Sequence, residues 1–194
     1  MATDKVELAR RMEAARPGDT VRGFVFKVVL DLVRERVGPV AADNLQSKVF
    51  KRSPIDFFSY PVTDFLQMLY LAADLLERHF GSPEAAIRAC GSAAASGFFR
   101  SGVGKSLTNL VGRGDPKRLF ANIPGAFVTA VSYGAREYAQ LGDKKVRLFF
   151  KGDMMPPPFH EGLLSEALTA MAVKGTVTSK PQGPDVAEYL IEWG

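Results

Sequence analysis

A single cysteine, Cys90, stands in a chain of 194 residues, which excludes an internal disulfide and any metal site built from several cysteines. No run approaches the about 18 apolar residues that a membrane-spanning helix requires. The N-terminal stretch MATDKVELARRMEAARPGD carries charge throughout and lacks the continuous apolar segment of a secretory signal. With the lone thiol, these absences point to a cytoplasmic location. Only two histidines occur, and His160-Glu161-Gly162 lacks the second histidine one turn further on that a helix-borne zinc site needs. No G-x-S-x-G elbow marks a serine nucleophile. The glycines Gly91, Gly97, Gly102 and Gly104 match no dinucleotide-binding spacing. The net charge of +4 is mild, does not argue for nucleic acid as a partner, and reads as basic residues solvating helix faces.

The motif closest to known chemistry is Gly104-Lys105-Ser106, within SGFFRSGVGKSLTN. A phosphate-binding loop needs G-x-x-x-x-G-K-[ST], because its first glycine lets the backbone wrap the phosphates. That first position here is Phe99, and Gly97 lies two residues too early. The preceding segment is helical in pattern, whereas such a loop follows a buried strand. The tripeptide is therefore read as a glycine-relieved bend between helices. Neither a catalytic residue nor a metal or cofactor site is expected.

What the chain does have is an ordinary globular balance, 46% apolar and 24% charged, with 14 phenylalanines. The first 18 residues read as a short, loosely held helix or arm, ended by Pro17-Gly18. The apolar spacing of VRGFVFKVVLDLVRERVG predicts an amphipathic helix capped by Asp19 or Thr20 and stopped by Gly38-Pro39. A short helix over VAADNLQSKVF and an aromatic loop, KRSPIDFFSYP, follow. A helix is predicted over 63–80 with Thr63 as cap and Gly81 past its end. Another starts at Ser82-Pro83, rich in Ala, Gly and Ser, so that a second backbone can approach it closely. It continues after a bend through GVGKSLTNLVG. Asp115-Pro116 opens a further helix that Pro124 should kink or divide. From residue 135 the period changes to strand, with a hairpin at Gly142-Asp143-Lys144, a helix after three prolines, and two more strands. Helices first and then ββαββ is the α+β layout, with an antiparallel four-stranded sheet. The division read from this order is an arm at 1–18 and one domain at 19–194, with a helical lobe at 19–133 and a sheet lobe at 134–194.

From Val21 to Trp193 this layout resembles the heme-nitric-oxide/oxygen-binding (H-NOX) superfamily, whose relatives include 4-vinyl-reductase domains and TRAPP vesicle-tethering subunits. The segments RGFVFKVVL, YPVTDFLQMLYLAADLL, SGFFRSGVGKSL, GDPKRLF and PPPFHEGLLSEAL more closely resemble a myxobacterial paralogous family of unknown function. The resemblance implies the shell without its heme site. H-NOX proteins ligate iron through a histidine on the helix before the sheet, and KRLFANIPGAFVTAVSYG has none, with Phe127 standing near that place. The Tyr-x-Ser-x-Arg clamp for the propionates is also missing, its region being occupied by FKGDMMPPPFHEG. TRAPP-like members hold an acyl chain on a cysteine in an apolar tunnel, and Cys90 sits in a similar helical region.

Two functions remain open. One is a noncatalytic sensor or regulatory domain with a small apolar ligand between helical lobe and sheet, its pocket drawn from Cys90, Phe98, Phe99, Phe127, Met154 and Phe159, with Met155 alongside. Plain core packing of these side chains is the alternative. The other is a protein-interaction module, a homodimer or part of a larger assembly, using Phe57, Phe58 and Tyr60 of the aromatic loop. An enzyme would need Arg136, Glu137, Tyr138, His160 and Glu161 to converge near the sheet, which nothing in the sequence requires.

Overall fold

Asp4 caps helix α1 (Lys5–Ala14), its carboxylate accepting from the main-chain N–H groups of Val6 and Glu7. The structure, a computed structural model, describes residues 4–101 and 115–194. α1 is not loosely held. The Arg11 guanidinium is buried and donates to the carbonyl oxygens of Met154, Met155 and Pro184, while Glu7 accepts from its Nε and Nη2. A cation removed from water is tolerated when its donors are filled in this way, and the result ties the first helix to the loops around the sheet.

Strand β1 (Thr20–Arg22) precedes helix α2 (Gly23–Arg36) and pairs antiparallel with β2 (Ser59–Pro61), Val21 opposite Tyr60. Asp19 and Thr20 therefore do not cap α2. Its first amides are taken by the main chain of the aromatic loop, Gly23 N–H donating to the Phe58 carbonyl and Phe24 N–H to that of Asp56. Local periodicity is blind to a partner so far along the chain. α3 (Pro39–Val49) begins at Gly38-Pro39 as expected. α4 (Val62–Phe80) starts one residue before Thr63, so that residue is no cap, and the Val62 amide donates to the Asp19 carbonyl. Gly81 closes α4 in the left-handed conformation. α5 (Pro83–Arg100) is capped by Ser82, whose Oγ accepts from Ala85 N–H. The predicted continuation through GVGKSLTNLVG, with Gly102, Gly104, Lys105 and Ser106, lies outside the described residues.

Asp115 caps α6 (Pro116–Phe127) by accepting from Lys117 N–H. Pro124 lies inside this helix, which ends three residues later. The sheet follows as β3 (Ala135–Gly142), β4 (Lys145–Lys151), helix α7 (Pro157–Ala170), β5 (Gly175–Pro181) and β6 (Val186–Trp193). Its order is β3-β4-β6-β5, antiparallel throughout, the α+β ββαββ unit expected. Residues opposed across the ladders share a face. Arg136, Phe150 and Ala187 form one inward row, Tyr138, Leu148 and Tyr189 the next, and Gln140, Val146 and Ile191 the third. The outward face carries ion pairs, Lys145 with Glu192 and Arg147 with Glu188.

Two apolar cores result. One joins α1 to α5 with Met154, Met155 and Phe159, and the other joins α6, the sheet and the C-terminal part of α7. By packing, α6 goes with the sheet although the chain places it before residue 134. The cores are stapled by the crossing of α5 with α7. A Cβ on Gly91 would fall 1.8 Å from the Phe159 carbonyl oxygen, and one on Gly162 1.9 Å from that of Arg88, so only glycine permits this approach. Ser92 Oγ donates across the same crossing to the Gly162 carbonyl. Among the described residues no helix is long and apolar enough to cross a membrane.

Candidate functional site

Beyond this crossing, the C-terminal half of α5 borders a cavity of about 90 Å³. Its wall is drawn from both cores, with Val25 and Phe65 on one side and Ile123 and Ala167 on the other. Small α5 side chains, Ala94 and Ala95, leave the space, and aromatic rings, among them Phe98, Phe99, Phe127 and Phe159, bound it. A ring cannot fill a corner that a branched aliphatic chain would, which is how a packed interior comes to keep a void.

Two of the expected pocket residues are elsewhere. Cys90 is fully buried one turn before Ala94, in the helical core, where burial pushes its thiol up to about 12. A thiol with that pKa is not a nucleophile near neutral pH, and the acyl-carrying role has no support in this geometry. Met154 is also buried in the helical core, where its carbonyl accepts from Arg11, and it is Met155 that reaches the cavity. Adjacent residues in a loop point to different sides, and spacing alone did not say which one faced the void. In the aromatic loop, Phe57 and Phe58 are exposed, at 81% and 60%. Tyr60 is instead an anchor: its ring packs edge-on against Phe26 and Phe50, and its hydroxyl accepts from Ile55 N–H.

Among the described residues of the wall, two side chains carry nitrogen or oxygen, Tyr133 and His160. Burial raises the Tyr133 hydroxyl well above its ordinary pKa, with the Asp153 charge adding to the effect, so it stays a neutral phenol. His160, in the first turn of α7, is 1% exposed. Its ring lies among Phe127, Phe150, Phe159 and Tyr189, with centroids 4.9 to 5.7 Å away. Behind it sits Asp153, just after β4. His160 Nε2 is 3.1 Å from Asp153 Oδ1, close enough for charge contact but off the line of a well-directed hydrogen bond. Met155 N–H donates to the same oxygen, and Arg136 Nη2 to the other.

Arg136 is brought there by strand alternation, since it stands opposite Phe150 on the inward face of β3. Its guanidinium carbon lies 4.2 Å from the Phe127 ring centroid and 5.3 Å from that of Phe150, and its Nη1 donates to the Tyr133 carbonyl. Burial pushes the Asp153 carboxyl up, yet the adjoining His160 ring, the Arg136 charge and the Met155 amide outweigh it and hold the group well below the usual carboxylate range. The result is a buried Arg136–Asp153–His160 chain that begins in the sheet and ends at the cavity wall.

Arg136 and His160 thus do come together, through a residue, Asp153, that the sequence did not single out. The remaining candidates for a catalytic group do not join them. Glu161 points to the other side of α7, paired with Arg88 and accepting from both the amide and hydroxyl of Ser179. Glu137 is exposed. Among the described residues no group of three or more His, Cys, Asp or Glu is placed to hold a metal ion.

The fold is that of H-NOX domains. An H-NOX protein from S. oneidensis in an Fe(II) ligation state superposes with a TM-score of 0.71 at 18% identity, covering 89% of this chain and 96% of that one. The same organism's H-NOX in an Fe(II)NO state gives 0.70 at 17% identity, over 89% and 99%. The unliganded Fe(II) H-NOX from K. algicida gives 0.66 at 14% identity, over 89% and 96%. By sequence, the chain belongs to the family described as "Protein of unknown function (DUF2378)", which matches residues 14–194. No curated protein matches it.

The residues present do not fit a heme. α6 has no histidine, and its Ile123 and Phe127 face the cavity instead. The one imidazole in the wall is backed by Asp153 and boxed by four aromatic rings. At about 90 Å³, the space is smaller than the roughly 150 Å³ apolar cavity that accepts a benzene ring, so a porphyrin exceeds it several-fold.

Proposed function

We propose that this chain is a noncatalytic regulatory domain of the cytoplasm that binds a small apolar ligand, without heme, between its helical core and its sheet. The single observation that carries this reading is the cavity itself: predominantly apolar among the described residues, shared by two cores, and bounded by side chains from α2, α4, α5, α6 and α7. Ligand pockets are predominantly apolar with few placed polar groups, and they favour the junctions between packed units. A ligand at such a junction contacts both cores at once. It therefore shifts the balance between arrangements of the two in proportion to its preference for one of them, which is what a sensor requires.

Native mass spectrometry of freshly purified protein, with a denaturing spectrum and an absorption scan, tests this. The expected result is a noncovalent mass excess that disappears on denaturation, with no Soret band. A Soret band would overturn the heme-free reading, and a covalent adduct on Cys90 would restore the acyl-carrier one. A second reading, an interaction module acting as a homodimer or with another protein, is favoured by the exposure of Phe57 and Phe58 beside Ile55, itself 52% exposed. Light scattering across a concentration series tests it, with a dimer expected that the double substitution Phe57→Ser, Phe58→Ser dissociates.

A further inference from the structure

Three apolar side chains of the aromatic loop stand in water, Ile55, Phe57 and Phe58, on a main chain that is held in place. The rings of Phe50 and Tyr60 close the ends of the loop, 5.1 Å between centroids. Within it, Phe58 N–H donates to the Ile55 carbonyl, and the Asp56 and Phe58 carbonyls accept from the first amides of α2. The rings are therefore presented outward by the fold rather than by looseness of the loop, and an exposed apolar tip of this kind marks a binding surface. Val128, 75% exposed, extends it: with Arg22 and Ser59 it borders a groove of about 550 Å³ beside the loop.

The uncompensated charge around this tip has one sign. Arg22 Nη1 donates to the Phe57 carbonyl at 2.7 Å, which fixes a guanidinium against that residue's main chain. Lys51 and Arg52 are exposed on the same loop, and Lys48 is exposed in the last turn of α3 that leads into it. No carboxylate pairs with any of these four among the described residues. The one acid of the loop, Asp56, is matched by Lys27, its Oδ1 lying 2.7 Å from Nζ. The complement of such a tip is a surface that is negatively charged outside and apolar just beneath.

We propose that this loop docks the protein on a membrane surface containing anionic lipid, Phe57 and Phe58 entering the headgroup region while Arg22, Lys48, Lys51 and Arg52 meet lipid phosphates. Aromatic side chains with Lys and Arg beside them are the combination by which a protein lies on a bilayer without spanning it. Each such base strengthens binding about fivefold. The inference is independent of the cavity, and it gives the exposed loop a lipid surface as partner in place of a second protein.

Cosedimentation of the full chain with vesicles at physiological ionic strength tests it. Vesicles of phosphatidylcholine mixed with phosphatidylglycerol should carry the protein down, and vesicles of phosphatidylcholine alone should leave it in solution. Phe57→Ser with Phe58→Ser keeps the net charge and should weaken binding about tenfold. Lys51→Gln with Arg52→Gln should weaken it about thirtyfold. The same loss of charge at the far end of the sheet, Lys144→Gln with Lys174→Gln, should change it by less than about twofold, because charges beyond a Debye length of the surface are screened.

Equal binding to both vesicle types, no binding to either, or binding that the serine pair or the tip glutamine pair leaves unchanged overturns the proposal. A dimer that the serine pair dissociates, in a protein that ignores both vesicle types, assigns the loop to a protein partner instead. None of these results bears on the cavity, which native mass spectrometry tests separately.

Discussion

The two halves of α5 meet the rest of the molecule in opposite ways. The N-terminal half presents Gly91 to the backbone of α7, with no space for even a methyl group. The C-terminal half presents Ala94, Ala95, Phe98 and Phe99 to a void. One stretch of small residues thus makes both the tightest seam and the opening of a cavity. What differs is the partner: a helix whose Gly162 answers Gly91 closes the gap, whereas aromatic rings from α6 and α7 cannot.

Breaking the staple should do the most damage. Gly91→Val or Gly162→Val drives carbon into a carbonyl group, and a loss beyond about 4 kcal/mol, or failure to fold, is expected in chemical denaturation. A variant that unfolds within 1 kcal/mol of the parent would show, as an order of magnitude, that the two helices can separate at little cost. Next comes the buried charge chain that borders the pocket. Asp153→Ala leaves Arg136 unpaired among aromatic rings and should cost about 3–5 kcal/mol.

Acid sharpens the same point. Because Asp153 has a depressed pKa in the fold, its contribution is present above the ordinary carboxylate pKa of about 4 and is lost as pH falls below that toward the folded value. Asp153→Asn should therefore show a flatter fall in thermal midpoint below about pH 4 than the parent. An unchanged acid slope would mean that other carboxylates dominate.

On the pocket side the effects should be small. Ala94→Leu, one turn along from the seam, grows into empty space, so stability should change by less than about 1.5 kcal/mol while ligand uptake disappears. A large loss would mean that this half of α5 is as tightly packed as the other. Smallest of all, Phe57→Ser on the exposed loop should move stability by no more than about 0.5 kcal/mol, with any effect confined to association.

Much of this architecture was legible because its signals are local. Ser82-Pro83 and Asp115-Pro116 start helices through a side chain acting two or three residues away, and Gly38-Pro39 separates two helices by backbone restriction alone. The hairpin at Gly142 and the small-residue character of α5 were equally plain. The features misjudged are all long-range. Thr20 is a strand residue because Pro61 lies beside it, and α2 is capped by main-chain carbonyls of the aromatic loop, which no side-chain pattern announces.

At the candidate site the division is sharper. Phenylalanine and methionine content, read with the resemblance, pointed to Phe98, Phe99, Phe127 and Phe159 as pocket residues, and they do share one cavity; Cys90 and Met154, named beside them, are buried in solid core. Sequence by itself determined the order of helices and strands and the antiparallel ββαββ sheet. Only the tertiary structure decided that Arg136, Asp153 and His160 meet, and that a void lies in front of them. The physical reason is that hydrophobic periodicity reports which side of an element avoids water. It carries no information about whether that side meets close-packed atoms or empty space, or about which buried charge finds which partner.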